Sequence, residues 1–124
     1  MIEELLHQEV RKEYVVSLNK TAKEVGSGGL EVLASPEIIR LVENITFEWI
    51  QSYLDKENTT VGGYIDINHL KPTFLNKDFS ITVSLDNIEN KKIIFSYSVY
   101  ENDKLAANGK HVRFIVNIEK FINR

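Results

Sequence analysis

The sequence feature that most constrains the fold is a long and almost entirely apolar helix, predicted to run from Ser35 to about Leu54. Ser35-Pro36-Glu37 marks its start with a cap residue, a proline at the first helical position and an acid at the positive end of the helix dipole. On a helical wheel the apolar residues cover an arc of roughly 240°. They are Ile38, Ile39, Leu41, Val42, Ile45, Phe47, Trp49, Ile50, Tyr53 and Leu54. Other elements must therefore cover this helix on most sides.

Four strand-like segments follow the helix, and a shorter one around residues 13–18 precedes it. The first segment after the helix places Ile65 and Ile67 on one face, and the other three alternate apolar and polar residues with a period of two. Asn90 and the pair Asn102-Asp103 are suited to the turns of the connecting hairpins. The three apolar faces expected from the alternation are Phe79, Ile81, Val83 and Leu85; Ile93, Phe95, Tyr97 and Val99; and Val112, Phe114, Val116 and Ile118. The pattern predicts a layered α+β fold, an antiparallel β-sheet wrapped around one long central α-helix.

Length and composition limit the class of protein. A chain of 124 residues fits one domain, so residues 1–124 are expected to form a single unit. The net charge of −3 argues against a broad nucleic-acid surface, and the absence of cysteine excludes disulfides, thiolate nucleophiles and zinc–thiolate sites. No apolar run is long enough to cross a membrane, and the amino terminus lacks the pattern of a secretory signal. A cytoplasmic protein is expected.

Glu43 is the one charged residue inside the apolar arc of the predicted helix. The other polar residues share the narrow remainder of the wheel: Glu37, Arg40, Asn44, Glu48 and Gln51. Burying a carboxylate costs several kcal/mol unless it is paired, hydrogen-bonded or protonated. Glu43 is therefore either half of a structural ion pair or a working acid or base.

Two further polar residues could belong to the same site. His69 falls on the face of Ile65 and Ile67 when residues are counted by twos, which makes an acid–base pair with Glu43 plausible. Ser35 adds a hydroxyl, although helix capping alone would explain it. A regular helix separates Ser35 from Glu43 by about 12 Å along its axis, so the two would act through substrate, water or a second subunit unless the helix starts later. No metal site is expected, because the three histidines show no ligand spacing.

Four motifs resemble those of the fluoroacetyl-CoA thioesterase-like family of hot-dog-fold proteins. They are VGSGGLEVLASP, LVE, TVGGYIDINHLKPT and NGKHVRFIVNIEKF, in the family's order and spacing, and the resemblance covers about residues 12–121. It implies a hot-dog fold, a homodimer, and hydrolysis of acyl-CoA thioesters without a cofactor.

The resemblance also implies site residues. The family's catalytic threonine, glutamate and histidine fall on Ser35, Glu43 and His69, with serine replacing threonine but keeping the hydroxyl. The glycine near the acyl pocket falls on Gly62, and the arginine of a Gly-x-His-x-Arg stretch falls on Arg113, whose side chain could face either solvent or a pocket at the subunit interface. Glu43 would act as general base or nucleophile, Ser35 would position water or Glu43, and His69 would orient the reacting groups or protonate the leaving thiolate.

Two departures from the family pattern affect the substrate more than the reaction. Asn76 stands where relatives often have a turn glycine, and residues 21–34 contain no aromatic residue that could form the gate of the fluoroacetyl specialist. The expected function is hydrolysis of a small acyl-CoA to free acid and CoA. The alternatives are a non-catalytic acyl-CoA-binding or sensing module and a hot-dog acyl-thioester hydratase or dehydratase.

Overall fold

The structure, a computed structural model, describes all residues from 1 to 124. Six strands form one sheet in the order β1-β4-β5-β6-β2, with the short β3 also paired to β6, and every pairing is antiparallel. No helix is long and apolar enough to cross a membrane. The strands are β1 (Glu9–Val15), β2 (Asn58–Ile65), β3 (Asn68–His69), β4 (Asp78–Glu89), β5 (Lys92–Glu101) and β6 (Lys104–Asn117), and the helices are α1 (Ala22–Val25), α2 (Ser35–Gln51) and α3 (Ile118–Ile122).

The long helix α2 packs against the sheet and supplies one side of the apolar core. It ends at Gln51, three residues before the predicted end. The buried residues that α2 contributes to the core are Ile38, Leu41, Val42, Ile45 and Ile50. The sheet contributes the inward-facing residues predicted on β4 and β5, namely Phe79, Ile81, Val83, Leu85, Ile93, Phe95, Tyr97 and Val99. The predicted arrangement of one long helix and an antiparallel sheet is confirmed.

Asparagine occupies three turns whose backbone needs a positive φ. Asn90 and Asn102 adopt φ values of 59° and 57° in the β4–β5 and β5–β6 hairpins, as predicted. Asn76, which stands where relatives often have a turn glycine, has φ 71°. Asparagine tolerates this left-handed region better than most residues do, so the turn before β4 forms without glycine.

The predicted inward face of β6 is wrong. His111 and Arg113 are buried, whereas Phe114 is 38% exposed and Ile118 is 37% exposed. The pairing with β5 is the cause, because residues directly opposite in an antiparallel sheet point to the same face. His111 lies opposite Phe95 and Arg113 opposite Ile93, and both β5 residues face the core.

The first strand also lies earlier than expected. It was predicted around residues 13–18, with Tyr14, Val16 and Leu18 on one side, but β1 runs from Glu9 to Val15. Val16 is fully buried, whereas Leu18 begins a 3-10 turn and is 51% exposed. β1 is an edge strand with much of its length exposed, so it lacks a regular alternation of apolar and polar residues. Four of its seven residues are charged: Glu9, Arg11, Lys12 and Glu13.

Gly109 in β6 is required by the turn between β2 and β3, which leads to a prediction about stability. A Cβ at this position would overlap the carbonyl oxygen of Asp66, which accepts a hydrogen bond of 2.6 Å from Tyr97 Oη. We expect Gly109→Ala to lower the free energy of unfolding by about 1–3 kcal/mol, because this backbone oxygen has little freedom to move. Gly29→Ala is the matched control, since a Cβ there meets no atom within 4 Å. Equal urea midpoints for the two variants would contradict the prediction.

Candidate active site

Ser35 and His69 form a direct pair at the start of α2. The helix has Ala34 as its N-cap and Ser35 as its first residue, and no side chain caps it. Ser35 Oγ instead lies 2.7 Å from His69 Nδ1. The interpretation of Ser35 as a helix cap is therefore wrong, and its hydroxyl is committed to the histidine.

The second nitrogen of His69 is free for chemistry. His69 Nε2 is buried and has no hydrogen-bond partner in the protein. Burial lowers the pKa of His69 from its ordinary value, which favours the neutral ring. If Ser35 Oγ–H donates to Nδ1, the proton of the neutral ring lies on Nε2, and that N–H becomes a donor to a ligand. A depression of about 310 Å³ adjoins the ring and is lined by Val32, His69, Leu70, Lys71 and Pro72.

Glu43 is half-buried, and its carboxylate has no partner in the protein. The three ion pairs of the chain, Met1–Glu4, Arg11–Glu13 and Arg40–Glu37, do not include it. The ion pair of α2 is formed by a buried Glu37, which the helical wheel placed on the polar side, and an exposed Arg40. Glu37 is 8% exposed and accepts two hydrogen bonds from Arg40, at 2.9 and 2.8 Å. An ion-pair partner within 4.0 Å is therefore present for Glu37 and absent for Glu43.

Gly62 marks the point where Glu43 approaches a buried polar cluster. A Cβ at Gly62 would lie 3.2 Å from Glu43 Oε2, 3.5 Å from His111 Cε1 and 3.6 Å from Arg113 Nη1. The absence of a side chain on Gly62 therefore leaves a small space that a carboxylate and a guanidinium group both border. No direct ion pair within 4.0 Å closes this space.

Arg113 faces this space and not solvent. It is 6% exposed, and Thr60 binds it through two hydrogen bonds: Nε donates to Oγ1 at 2.8 Å and Nη2 donates to the carbonyl oxygen at 3.1 Å. Burial lowers the pKa of Arg113, while the nearby Glu43 carboxylate acts in the opposite direction. An arginine stays charged at neutral pH even so, and Arg113 gives the cluster a fixed positive charge.

His111 belongs to this cluster, and the sequence analysis did not assign it to the site. Its Nε2 lies 3.2 Å from Arg113 Nη1 and its Nδ1 lies 2.8 Å from the carbonyl oxygen of Tyr64. The spacing of two between His111 and Arg113 on one strand was the available signal, because it places both side chains on the same face. The prediction chose the opposite face of the strand because Val112 and Phe114, the residues between and after them, are apolar.

Within one chain the predicted catalytic residues form two separate groups. Ser35 and Glu43 are eight residues apart on a helix that is regular from its first residue, or about 12 Å along the axis. His69 pairs with Ala107 on β6 while Gly62 pairs with Arg113, and six residues of extended strand span about 20 Å. One group contains Ser35 and His69, and the other contains Glu43, Gly62, His111 and Arg113.

No third kind of site competes with these two groups. No cluster of three or more His, Cys, Asp or Glu side chains could hold a metal ion. A larger depression of about 370 Å³ lies on the outer face of the sheet, where Ser96, Ser98, Asn108 and Lys110 line it. None of the residues of the two groups lines this depression.

The two buried histidines predict how stability depends on pH. Burial lowers the pKa of both His69 and His111 in the folded protein, so the unfolded chain binds more protons below about pH 6.5. Stability should therefore fall as the pH drops through 6.5 and level off below the folded pKa values. We expect a lower melting temperature at pH 5.5 than at pH 7.5, with a smaller difference in His111→Gln. A melting temperature that is constant over this interval would contradict the prediction.

Comparisons with known proteins agree with this fold. The family model described as fluoroacetyl-CoA-specific thioesterase (FlK) matches residues 16–119. A point mutant of the FlK thioesterase, solved in complex with fluoroacetate and CoA, has a TM-score of 0.86 at 20% identity, covering 94% of this chain and 98% of that one. No curated protein matches the chain by sequence.

Two bacterial structures extend the comparison. A hot-dog-like protein from Thermanaerovibrio acidaminovorans has a TM-score of 0.90 at 20% identity and covers 99% of this chain and 93% of its own. A thioesterase superfamily member from Thermus thermophilus has a TM-score of 0.85 at 19% identity, with coverage of 95% and 88%. These likenesses confirm the predicted hot-dog fold.

Proposed function

Because the chain belongs to the fluoroacetyl-CoA-specific thioesterase family, we propose that it hydrolyses the thioester of a small acyl-CoA to the free acid and CoA. The observation that carries the proposal is the unpaired carboxylate of Glu43, which faces Arg113 across the space at Gly62. A carboxylate that is half-buried and has no partner is available to accept a proton from water. In a purely structural role it would be expected to carry a partner, as Glu37 does.

In the proposed mechanism Glu43 is the general base. It removes a proton from water while the water oxygen attacks the thioester carbonyl, and the C–S bond then breaks to release the CoA thiolate. The proton held by Glu43 returns to the thiolate or to solvent, which leaves the carboxylate ready for the next cycle. Attack by Glu43 itself on the carbonyl is the variant with a covalent intermediate.

The other predicted residues bind and orient the thioester. Ser35 fixes the ring of His69 through the contact between its Oγ and Nδ1. His69 then directs its Nε2–H at the oxyanion or at the leaving sulfur. The N-terminus of α2 lies beside it and adds backbone N–H donors and the positive end of a helix dipole. Arg113 donates to the acyl group across Gly62.

The proposed functional unit is a homodimer formed through β2. The sheet has two edges, and β1 carries four charged residues in seven, a common protection against pairing. The other edge, β2, has the sequence NTTVGGYI without a charge, and Tyr64 on it is 54% exposed. Antiparallel pairing of two β2 strands about a two-fold axis near Ile65 and Asp66 would place His69 of one protomer beside Gly62 of its partner. The group of Ser35 and His69 from one protomer would then complete the group of Glu43, Gly62, His111 and Arg113 from its partner. The proposed location of the dimer and of its CoA substrate is the cytoplasm.

We therefore predict a dimer at micromolar concentration. Sedimentation velocity should give about twice the mass of the chain, and Val61→Lys, which adds a charge to the β2 edge, should shift the population toward monomer. Lys12→Glu on the β1 edge is the control, because it keeps that edge charged, and it should leave the mass unchanged. A wild-type protein that sediments only as monomer would refute the prediction.

Release of free thiol tests the proposed reaction. The assay presents short, branched and aromatic acyl-CoAs and measures the thiol that appears. A thioesterase liberates CoA, a hydratase changes the acyl chain without releasing CoA, and a binding module does neither. Binding of an acyl-CoA without thiol release would favour the sensing module.

A further inference from the structure

His111 is a fully buried polar side chain of the group that contains Glu43. It is 0% exposed, and both ring nitrogens have partners of fixed character. The carbonyl oxygen of Tyr64 only accepts hydrogen bonds, and the guanidinium group of Arg113 only donates them. The ring must therefore be neutral, with its proton on Nδ1 and its lone pair on Nε2. The burial that lowers the pKa of His111, together with the positive charge of Arg113, favours this form.

The bond to His111 leaves one N–H of Arg113 Nη1 free at the space beside Gly62. Nη1 carries two N–H groups, of which one is directed at His111 Nε2. Nε and Nη2 are held by Thr60. The second N–H of Nη1 belongs to an atom that borders the space at Gly62, as Glu43 Oε2 does.

The same histidine fixes the strand that carries Gly62. The register of β2 against β6 shifts between Gly62 and Tyr64, so the backbone is irregular at this point. Nδ1–H of His111 binds the carbonyl oxygen of Tyr64 at the end of this irregularity. One ring thus connects the β2 backbone at the site to the guanidinium group of Arg113.

If position 111 served only to pack the core, an apolar residue would suit it better than histidine. The residue opposite on β5 is Phe95, whose ring stacks on His111 at 6.1 Å between centroids, and the neighbouring inward positions of β4 and β5 are apolar. A buried polar ring costs free energy unless its hydrogen bonds are satisfied. The two bonds of His111 therefore account for its presence among apolar neighbours.

We propose that His111 is a positioning residue, whose neutral ring orients Arg113 so that the free Nη1–H points into the space between Gly62 and Glu43. The inference rests on the proposed thioesterase function for its effect on rate. Its structural part, the tautomer and the bond to Arg113, is independent of that function.

Two variants separate the two bonds of His111. Asparagine places its amide near the position of Nδ1 and keeps the bond to the Tyr64 carbonyl, but it is too short to reach Arg113. Glutamine reaches the position of Nε2 and keeps an acceptor for Arg113. We expect His111→Asn to lower kcat/KM by about tenfold or more, and His111→Gln to restore most of that loss at similar stability. His7→Asn, at an exposed histidine, is the control and should change nothing.

Coupling to Arg113 distinguishes positioning from general destabilisation. In an Arg113→Ala background, His111→Asn should lower kcat/KM by less than about twofold, because the group that it orients is gone. Equal losses in both backgrounds, or losses that follow melting temperature across all variants, would overturn the proposal.

A measurement without turnover tests the structural part. Long-range ¹H–¹⁵N spectra of the wild type should show the His111 ring neutral with the proton on Nδ1, and the Arg113 N–H signals should exchange faster in His111→Asn than in His111→Gln. A charged ring, or a proton on Nε2, would overturn the proposal even if thiol release is observed. If the wild type releases no thiol but the ring has the expected form, the proposed function fails and the orientation of Arg113 by His111 stands.

Discussion

Replacing Glu43 with glutamine should lower thioester turnover by about 10²- to 10⁴-fold and leave the fold intact. Glutamine has nearly the same size and shape but accepts no proton from water at neutral pH. The structure gives no reason for a loss of stability, since the Glu43 carboxylate has no ion pair within 4.0 Å. Removing a half-buried charge without a partner should leave the melting temperature unchanged or raise it slightly.

The structural interpretation of Glu43 predicts the opposite phenotype. If the carboxylate balanced Arg113 electrostatically, Glu43→Gln would leave a buried cation unpaired and cost about 3–5 kcal/mol. Glu48→Gln is the matched control, because Glu48 lies on the same helix with its side chain exposed. Melting temperature and thiol release are measured on both variants. A destabilised Glu43→Gln whose folded fraction turns over at the wild-type rate would exclude the catalytic role.

Local patterns in the sequence were sufficient for the fold. Along β4 and β5 the buried apolar residues alternate with residues that are mostly polar and partly exposed. Asn90 and Asn102 need only their own backbone geometry to form turns. The long apolar helix restricts the remaining choices, because a sheet must cover it. These features depend on residues close together in the chain.

The errors occurred where a contact between distant residues decides the outcome. The inward face of β6 depends on its register with β5, which places His111 opposite Phe95. Serine is a common helix-cap residue, but the hydroxyl of Ser35 is hydrogen-bonded to His69, 34 residues later in the chain. Glu37 is buried, next to Arg40, because of the orientation in which α2 packs on the core. A helical wheel drawn from the sequence does not contain that orientation. A site assembled from several elements is most exposed to errors of this kind.

The separation of the two groups within one chain makes a strong prediction about mixed dimers. Glu43→Gln and His69→Asn should each be nearly inactive alone, since each removes one acid–base group and asparagine can still accept from Ser35 at the position of Nδ1. If Glu43 of one protomer works with His69 of its partner, a dimer with one copy of each variant contains one intact site. Random mixing gives half mixed dimers, so activity should recover to about a quarter of the wild-type level.

The control for this experiment uses two residues from the same group. Glu43 and Arg113 approach Gly62 from the same chain, so a mixture of Glu43→Gln with Arg113→Ala leaves no site with both groups and should show no recovery. Subunits are exchanged by co-expression with two different tags, and the doubly tagged dimer is isolated and assayed for thiol release. Because every dimer in this sample is mixed, the expected activity of the Glu43→Gln and His69→Asn pairing rises from about a quarter to about half of the wild-type level. Recovery only in the pairing of Glu43→Gln with His69→Asn requires a site shared between protomers. The absence of recovery in that pairing, with dimer exchange demonstrated by the tags, would mean that each chain carries a complete site and that substrate or a movement of β3 bridges the roughly 20 Å between its two groups.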